Sequence, residues 1–116
     1  MNVDIDRRSF NFSLEVVKLV NTLPKTLACR IIAGQLMRSG TSVGANIEEA
    51  LGGLTKADFI HGINISKKEA RESRYWLKIL ANAKLIDGEA FNSLIKEADE
   101  LVAILTTIVK NSKIKK

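Results

Sequence analysis

A seam of apolar and small residues runs from Cys29 through Ala33, Leu36, Gly40, Val43, Ile47 and Ala50 to Leu54, in steps that alternate four and three. That is the heptad period of an α-helix packed along its length against neighbours. A strand, which alternates every second residue, cannot use it. Inside the seam, Arg38-Ser39-Gly40-Thr41-Ser42-Val43-Gly44-Ala45-Asn46-Ile47-Glu48-Glu49-Ala50 mixes small flexible residues, apolar residues and charges. Gly40 and Ala50 put no bulk on the seam, so another backbone can come close there.

The rest of the chain divides around this stretch. A first helix is expected over about 9–22, with Ser9 as its cap and Phe12, Val16, Leu19 and Leu23 as its stripe. The Thr22-Leu23-Pro24 turn ends it, and Pro24 suits the first turn of the next helix. The second helix is expected over about 25–51. Gly costs about 1 kcal/mol relative to Ala inside a helix, so Ser39–Gly44 is its weak stretch. Two forms are open there: one helix with a local kink, or two helices with Ser42 as the second cap. The seam stays in phase across the stretch, which favours continuity, and Gly52-Gly53 stops the helix. The third helix is expected over about 55–84, capped by Thr55, with Asp58 near the positive end of its dipole. Its inner face is Phe59, Ile63, Ser66, Ala70, Ser73, Leu77 and Leu80. Asp87 reads as the cap of a fourth helix over about 88–110, with a basic tail at 111–116.

At 116 residues the chain is expected to be one domain. Apolar residues make up 46% but aromatic residues only 5%, so the core must be aliphatic. One proline and seven glycines argue against a loop-rich or many-stranded fold. Four helices joined by short turns imply an all-α, up-down antiparallel four-helix bundle.

Two blocks carry a family resemblance. The first is the Arg38–Ala50 stretch. The second is Lys67-Lys68-Glu69-Ala70-Arg71-Glu72-Ser73-Arg74-Tyr75-Trp76-Leu77. Together, in helix order, they resemble the bacterial four-helix-bundle proteins named for reading frames inside 23S rRNA intervening sequences. The resemblance implies a left-handed up-down bundle and a homopentameric ring with a central channel. A more distant branch is similar to the accessory protein of diversity-generating retroelements, which binds a reverse transcriptase and nucleic acid.

The residues themselves argue for binding over catalysis. There is no Ser-His-Asp set, no glycine-rich phosphate loop after a strand and no zinc-ligand spacing. His61 is the one histidine, three residues after Asp58. A ferritin-like metal site needs that spacing twice, so one chain cannot build it, although a ring of copies would gather several His61 side chains. No arginine lies between Arg38 and His61, which excludes an arginine-spacer-histidine ribonuclease motif. Lone Cys29 sits on the seam as a small hydrophobe. No catalytic residue, cofactor or metal is expected. The N-terminal sequence has no signal-peptide core, and the longest apolar runs fall short of the roughly 20 residues a membrane span needs. A cytoplasmic setting without a membrane partner is expected.

Glu48 and Glu49 could be read as catalytic carboxylates. A structural polar layer with Arg38 and Asn46 is preferred, with one glutamate pairing to Arg38, Arg71 or Arg74 of a neighbouring helix or chain. Lys67, Arg71, Arg74 and Lys78 fall on one narrow stripe, and Lys110, Lys113, Lys115 and Lys116 form a second basic group. With a formal charge of +5, these are the candidate contacts to RNA or DNA phosphates. The same spacing also suits a solvated face or an interchain salt-bridge layer, and the lysine tail also suits a helix C-terminal dipole. Apolar residues spread beyond one stripe of the third helix, so Ile65 and Trp76 are expected at a contact between copies. The expected function is a non-enzymatic, homo-oligomeric binding or scaffold protein that contacts nucleic acid. The alternative is a protein-binding accessory subunit of a partner enzyme.

Overall fold

The structure, a computed structural model, describes residues 4–84 and 88–114. Helix α1 spans Asp4–Val20, α2 Leu27–Leu51, α3 Lys56–Asn82 and α4 Glu89–Ile114. Consecutive helices pack side by side, and α4 closes the ring against α1 with the thinnest contact. Bonds between Ser13 and Gly40, Ser66 and Val43, and Ser73 and Ser39 show that neighbours run antiparallel. The result is an all-α four-helix bundle about 50 Å long and 20 × 18 Å in section.

The helix boundaries differ from the sequence reading, most at three points. Helix α1 begins at Asp4, not near Ser9. Ser9 is no cap: it is buried, and its hydroxyl donates to the Asp6 carbonyl at 3.0 Å. It belongs to a seam that starts one turn earlier, at buried Ile5, and continues through Phe12, Val16 and Leu19. Helix α2 begins at Leu27, because the Thr26 side chain accepts the Cys29 N–H at 3.3 Å and so caps it. Pro24 therefore stands outside the first turn. Helix α4 continues to Ile114, so residues 111–114 of the expected tail are helical. The expected cap Asp87 lies outside the described residues.

Thr55 does cap α3, accepting the Asp58 N–H at 3.0 Å. The helix stops at Asn82, and Lys84 takes a left-handed backbone with φ 56°, as a chain leaving a helix commonly does.

Helix α2 is unbroken through Ser39–Gly44. The hydroxyls of Thr41 and Ser42 donate back to the Met37 and Arg38 carbonyls at 2.7 and 2.6 Å, so they satisfy themselves within the helix. The glycines are held by what they touch. A Cβ on Gly40 would meet the Val16 side chain at 2.9 Å, and one on Gly62 would meet the Ala50 Cβ at 2.8 Å and its Cα at 3.1 Å. At these points α1 and α3 come close to α2. Ser13 then reaches the Gly40 carbonyl at 2.8 Å, and Ser66 reaches that of Val43 at 2.7 Å. Ser39 and Ser73 Oγ lie 2.9 Å apart in the α2–α3 contact. Among the described residues, no buried side-chain polar atom lacks a partner. Around these contacts lies an aliphatic core of Leu36, Val43, Ile47, Ile63, Leu77, Leu80, Leu101 and Leu105, with Phe12 and Phe91 as its large aromatic members.

Alanine substitution should separate glycines that are packed from those that are not. A Cβ on Gly34 would meet nothing within 4 Å, so Gly34→Ala should stabilise α2 by up to about 1 kcal/mol. Gly62→Ala should destabilise by about 1–3 kcal/mol, because backbone as well as side chain blocks the added methyl. Gly40→Ala should fall between, since Val16 can adjust. Urea unfolding midpoints of the three variants test the order.

Candidate nucleic-acid interface

Helix α3 turns Ile63, Ser66, Ala70, Ser73 and Leu77 into the bundle. At about 100° per residue, the opposite side is a ridge formed by Lys68, Arg71, Tyr75 and Lys78, all exposed, with half-buried Lys67 at its edge. Lys67, Lys68, Arg71 and Lys78 form no ion pair with a described residue.

Arg74 is different. It is half-buried and pairs with Asp99 of α4 at 2.6 Å. The expected stripe of four available cations thus loses one, because the compensating acid comes from a helix about 25 positions further along the chain. Lys110 and Lys113 are exposed in the last turns of α4. By the antiparallel register that Arg74 and Asp99 set, they lie toward the His61 end of α3. Lys115 and Lys116 lie outside the described residues.

The expected polar layer takes another form within the chain. Arg38 bonds Glu69 at 3.2 Å and also bonds Glu72, both on α3. Glu48 and Glu49 are exposed and form no ion pair with a described residue, while Asn46 donates to the Ser42 carbonyl at 2.8 Å within α2. Ten residues from Arg38, Glu48 points about 80° away around the helix from the side that Arg38 uses, and sequence alone did not show that Glu69 and Glu72 turn back toward α2. These pairs shift protonation. Burial raises the Glu72 pKa, but the bonds from the Trp76 N–H and from Arg38 outweigh it and bring the carboxyl below its ordinary value. Arg38 donates to the carboxylates of Glu72 and Glu69, which hold its proton more tightly still. A further pairing was not anticipated: Arg8 of α1 bonds Glu97 at 2.7 Å and Glu100 at 2.9 Å across the thin α1–α4 contact.

Ile65 and Trp76, the expected contacts between copies, are both half-buried. Trp76 packs on the core, and its indole N–H donates to Glu72 at 3.3 Å. The more open apolar surface is elsewhere: Phe10 on α1, Leu27 and Ile31 on α2, and Leu54 in the α2–α3 turn, which is 95% exposed. Spare apolar surface was expected mainly on the third helix, because single-helix periodicity does not tell which flank a neighbour will cover.

His61 and Asp58 line a shallow groove at the α2–α3 turn with Asn46, Glu49 and Ile65. Among the described residues, no group of three or more His, Cys, Asp or Glu side chains could hold a metal ion. No described helix is long and apolar enough to cross a membrane. Cys29 is buried on the seam.

Tyr75 is the residue that sequence reasoning passed over. It is 57% exposed and meets Trp76 edge-on, with ring centroids 5.1 Å apart and planes at 71°. Its signal was available: it follows Arg71 by one turn and precedes Lys78 by three residues.

Comparison with known proteins agrees with this architecture. The model of the family described as 23S rRNA-intervening sequence protein matches residues 1–107. A crystal structure of a protein of unknown function from the S23 ribosomal protein family of Bacteroides thetaiotaomicron is similar to it. The two share 34% identity over 91% of this chain and 98% of that one, with a TM-score of 0.82. No curated protein matches the chain.

The Glu72 arrangement makes stability depend on pH. A carboxyl whose pKa is lower in the folded chain contributes stability that is present above the ordinary carboxylate value, 4.5, and lost as pH falls through the folded value. Thermal midpoints should therefore show Glu72→Gln below the parent at pH ~6. The difference should shrink as pH falls below about 4. A constant difference across that range would contradict the assignment.

Proposed function

We propose that this chain, which belongs to the 23S rRNA-intervening sequence protein family, is a non-enzymatic, homo-oligomeric binding or scaffold protein that holds RNA or DNA by its phosphates. The observation that supports this reading is the outer ridge of α3, where Lys67, Lys68, Arg71 and Lys78 make no salt bridge with a described residue, although Lys68 lies near enough to Glu72 to favour its charged form. Acids are not scarce on α3, but Glu69 and Glu72 are drawn to Arg38 on one flank. On the other flank Asp99 is drawn to Arg74. The ridge between keeps its positive charge, and a row of cations on a helix can follow a phosphate backbone without reading bases. The resemblance to ring-forming relatives supports assembly into a pentamer, and exposed Phe10, Leu27 and Ile31 supply apolar surface for it. A cytoplasmic setting fits a nucleic-acid partner.

A second reading, a protein-binding accessory subunit of a partner enzyme, is favoured by the same apolar surface on α1 and α2. Recovery of one protein from native cells, unaffected by nuclease, would support it.

Salt dependence tests the leading reading. Four phosphate contacts per protomer give a log–log slope near −3 to −4, so affinity should fall roughly 50- to 150-fold between 50 and 200 mM salt. Lys67→Ala with Arg71→Ala should weaken binding to every sequence and flatten the slope by about one per lost contact. Arg74→Ala should do less, because its charge is already paired. Absence of binding to RNA and DNA at low salt would remove the reading. Light scattering that returns a 12.8 kDa particle at micromolar concentration would remove the oligomer.

A further inference from the structure

We propose that Tyr75 is a base-stacking platform, and that the ligand of the α3 ridge is single-stranded nucleic acid and not a duplex. This rests on the phosphate-binding reading above and specifies its substrate class.

The position of the ring carries the inference. Core residues Ile63, Ala70 and Leu77 mark the inner side of α3, and Tyr75 lies nearly opposite them on the outer midline. Lys68 precedes it by seven residues, Arg71 by four, and Lys78 follows by three, so it stands amid the unpaired cations. A tyrosine placed to serve the fold would bury its ring or bond its hydroxyl. This one is 57% exposed, and its hydroxyl bonds no described residue. Nor is it loose. Trp76 meets it edge-on, Trp76 is bonded to Glu72, and Glu72 to Arg38. The ring is thus braced on one side and open on the other, which lowers the ordering cost of stacking something on it.

Against duplex, an exposed ring among cations gains little, because the base faces are already stacked. Nor can α3 enter a groove. It is flanked lengthwise by α2 and α4 in a bundle 20 × 18 Å in section, wider than the roughly 12 Å major groove. A single strand offers both chemistries the ridge presents: phosphates for Lys67, Lys68, Arg71 and Lys78, and an unpaired base for Tyr75. Combining a cationic track with aromatic stacking is the general solution for sequence-tolerant single-strand binding. The track from Lys67 to Lys78 is about 16 Å long at 1.5 Å per residue, so the strand runs along the bundle axis.

The test compares the parent, Tyr75→Ala and Tyr75→Phe in binding a 20-nucleotide oligouridine, an RNA duplex of that length and an abasic oligonucleotide of that length. Trp76, the one tryptophan in the chain, reports binding by fluorescence in the parent, and fluorescence anisotropy of labelled nucleic acid gives affinities for all three proteins. Expected are roughly tenfold weaker oligouridine binding by Tyr75→Ala, an unchanged salt slope, near-parental binding by Tyr75→Phe, and no effect on the duplex or abasic ligand. Circular dichroism confirms that the exposed substitution leaves the helices intact. If Tyr75→Ala binds oligouridine as the parent does while binding remains salt-dependent, the stacking role is overturned and the phosphate face stands. If all three ligands weaken alike, Tyr75 acts only through the fold and the proposal is overturned. If the parent binds none of them at low salt, the phosphate face and the stacking role fall together.

Discussion

The close approach of α1 and α3 to the backbone of α2 governs the rest of the structure. It depends on residues chosen for what they lack. Gly40 leaves room for Val16, and Gly62 leaves room for Ala50. Once the backbones are near, short side chains can span the interface. Ser13 bonds the carbonyl of Gly40, Ser66 that of Val43, and Ser73 lies against Ser39. A hydroxyl buried without a partner costs on the order of 1–3 kcal/mol, so buried Ser66, whose bond is to the Val43 carbonyl, would oppose folding at a wider helix spacing. Glycine sets the distance, and serine uses it: Ser66 has its one bond across the interface, while Ser13 and Ser73 add a cross-helix contact to the bonds they make within their own helices.

That close approach also fixes how α3 divides its surface. With its serine face against α2, the helix has two flanks and an outer ridge. On the α2 flank, Glu69 and Glu72 meet Arg38. On the α4 flank, Arg74 meets Asp99. These pairs are partly exposed and each adds little to stability, yet they decide where charge remains. Acids are consumed beside the ridge and cations are left on it. The ridge is positive because of register, not merely because the chain carries a formal +5.

This separates what could be read in the sequence from what could not. The α2 seam was legible because its period survives through Gly40 and Gly44, and the structure keeps one helix across them. Ser9 misled because serine has two common roles. As a cap it would begin α1, but as a small residue it continues the spacing from Ile5 to Phe12, and that spacing prevails. Thr26 was hidden by Pro24, the louder signal two residues earlier. Partners across helices were the least legible. A helical period shows which residues share a face, but not which acid on the next helix stands opposite, so Arg38 and Arg74 were placed without their true partners. The inward face of α3 was legible from Ile63 to Leu80, since periodicity specifies it, but Phe59 is only half-buried and buried Gly62, whose missing side chain admits Ala50, was not singled out.

The α1–α4 edge shows the same dependence from the other side. Contact there is thin, and its most visible feature is the fork of Arg8 onto Glu97 and Glu100. Glu100 is exposed and Glu97 half-buried, and such partly exposed pairs contribute about 0–1 kcal/mol, so the fork is not what holds α1 in place. Buried Phe12, Val16 and Leu19 supply the apolar term, and Val16 can be buried as it is only because Gly40 has no side chain. Helix α1 is therefore seated from α2 inward, with Arg8 orienting its far flank, and the bundle closes as a ring because α2 is narrow enough to be approached from two directions.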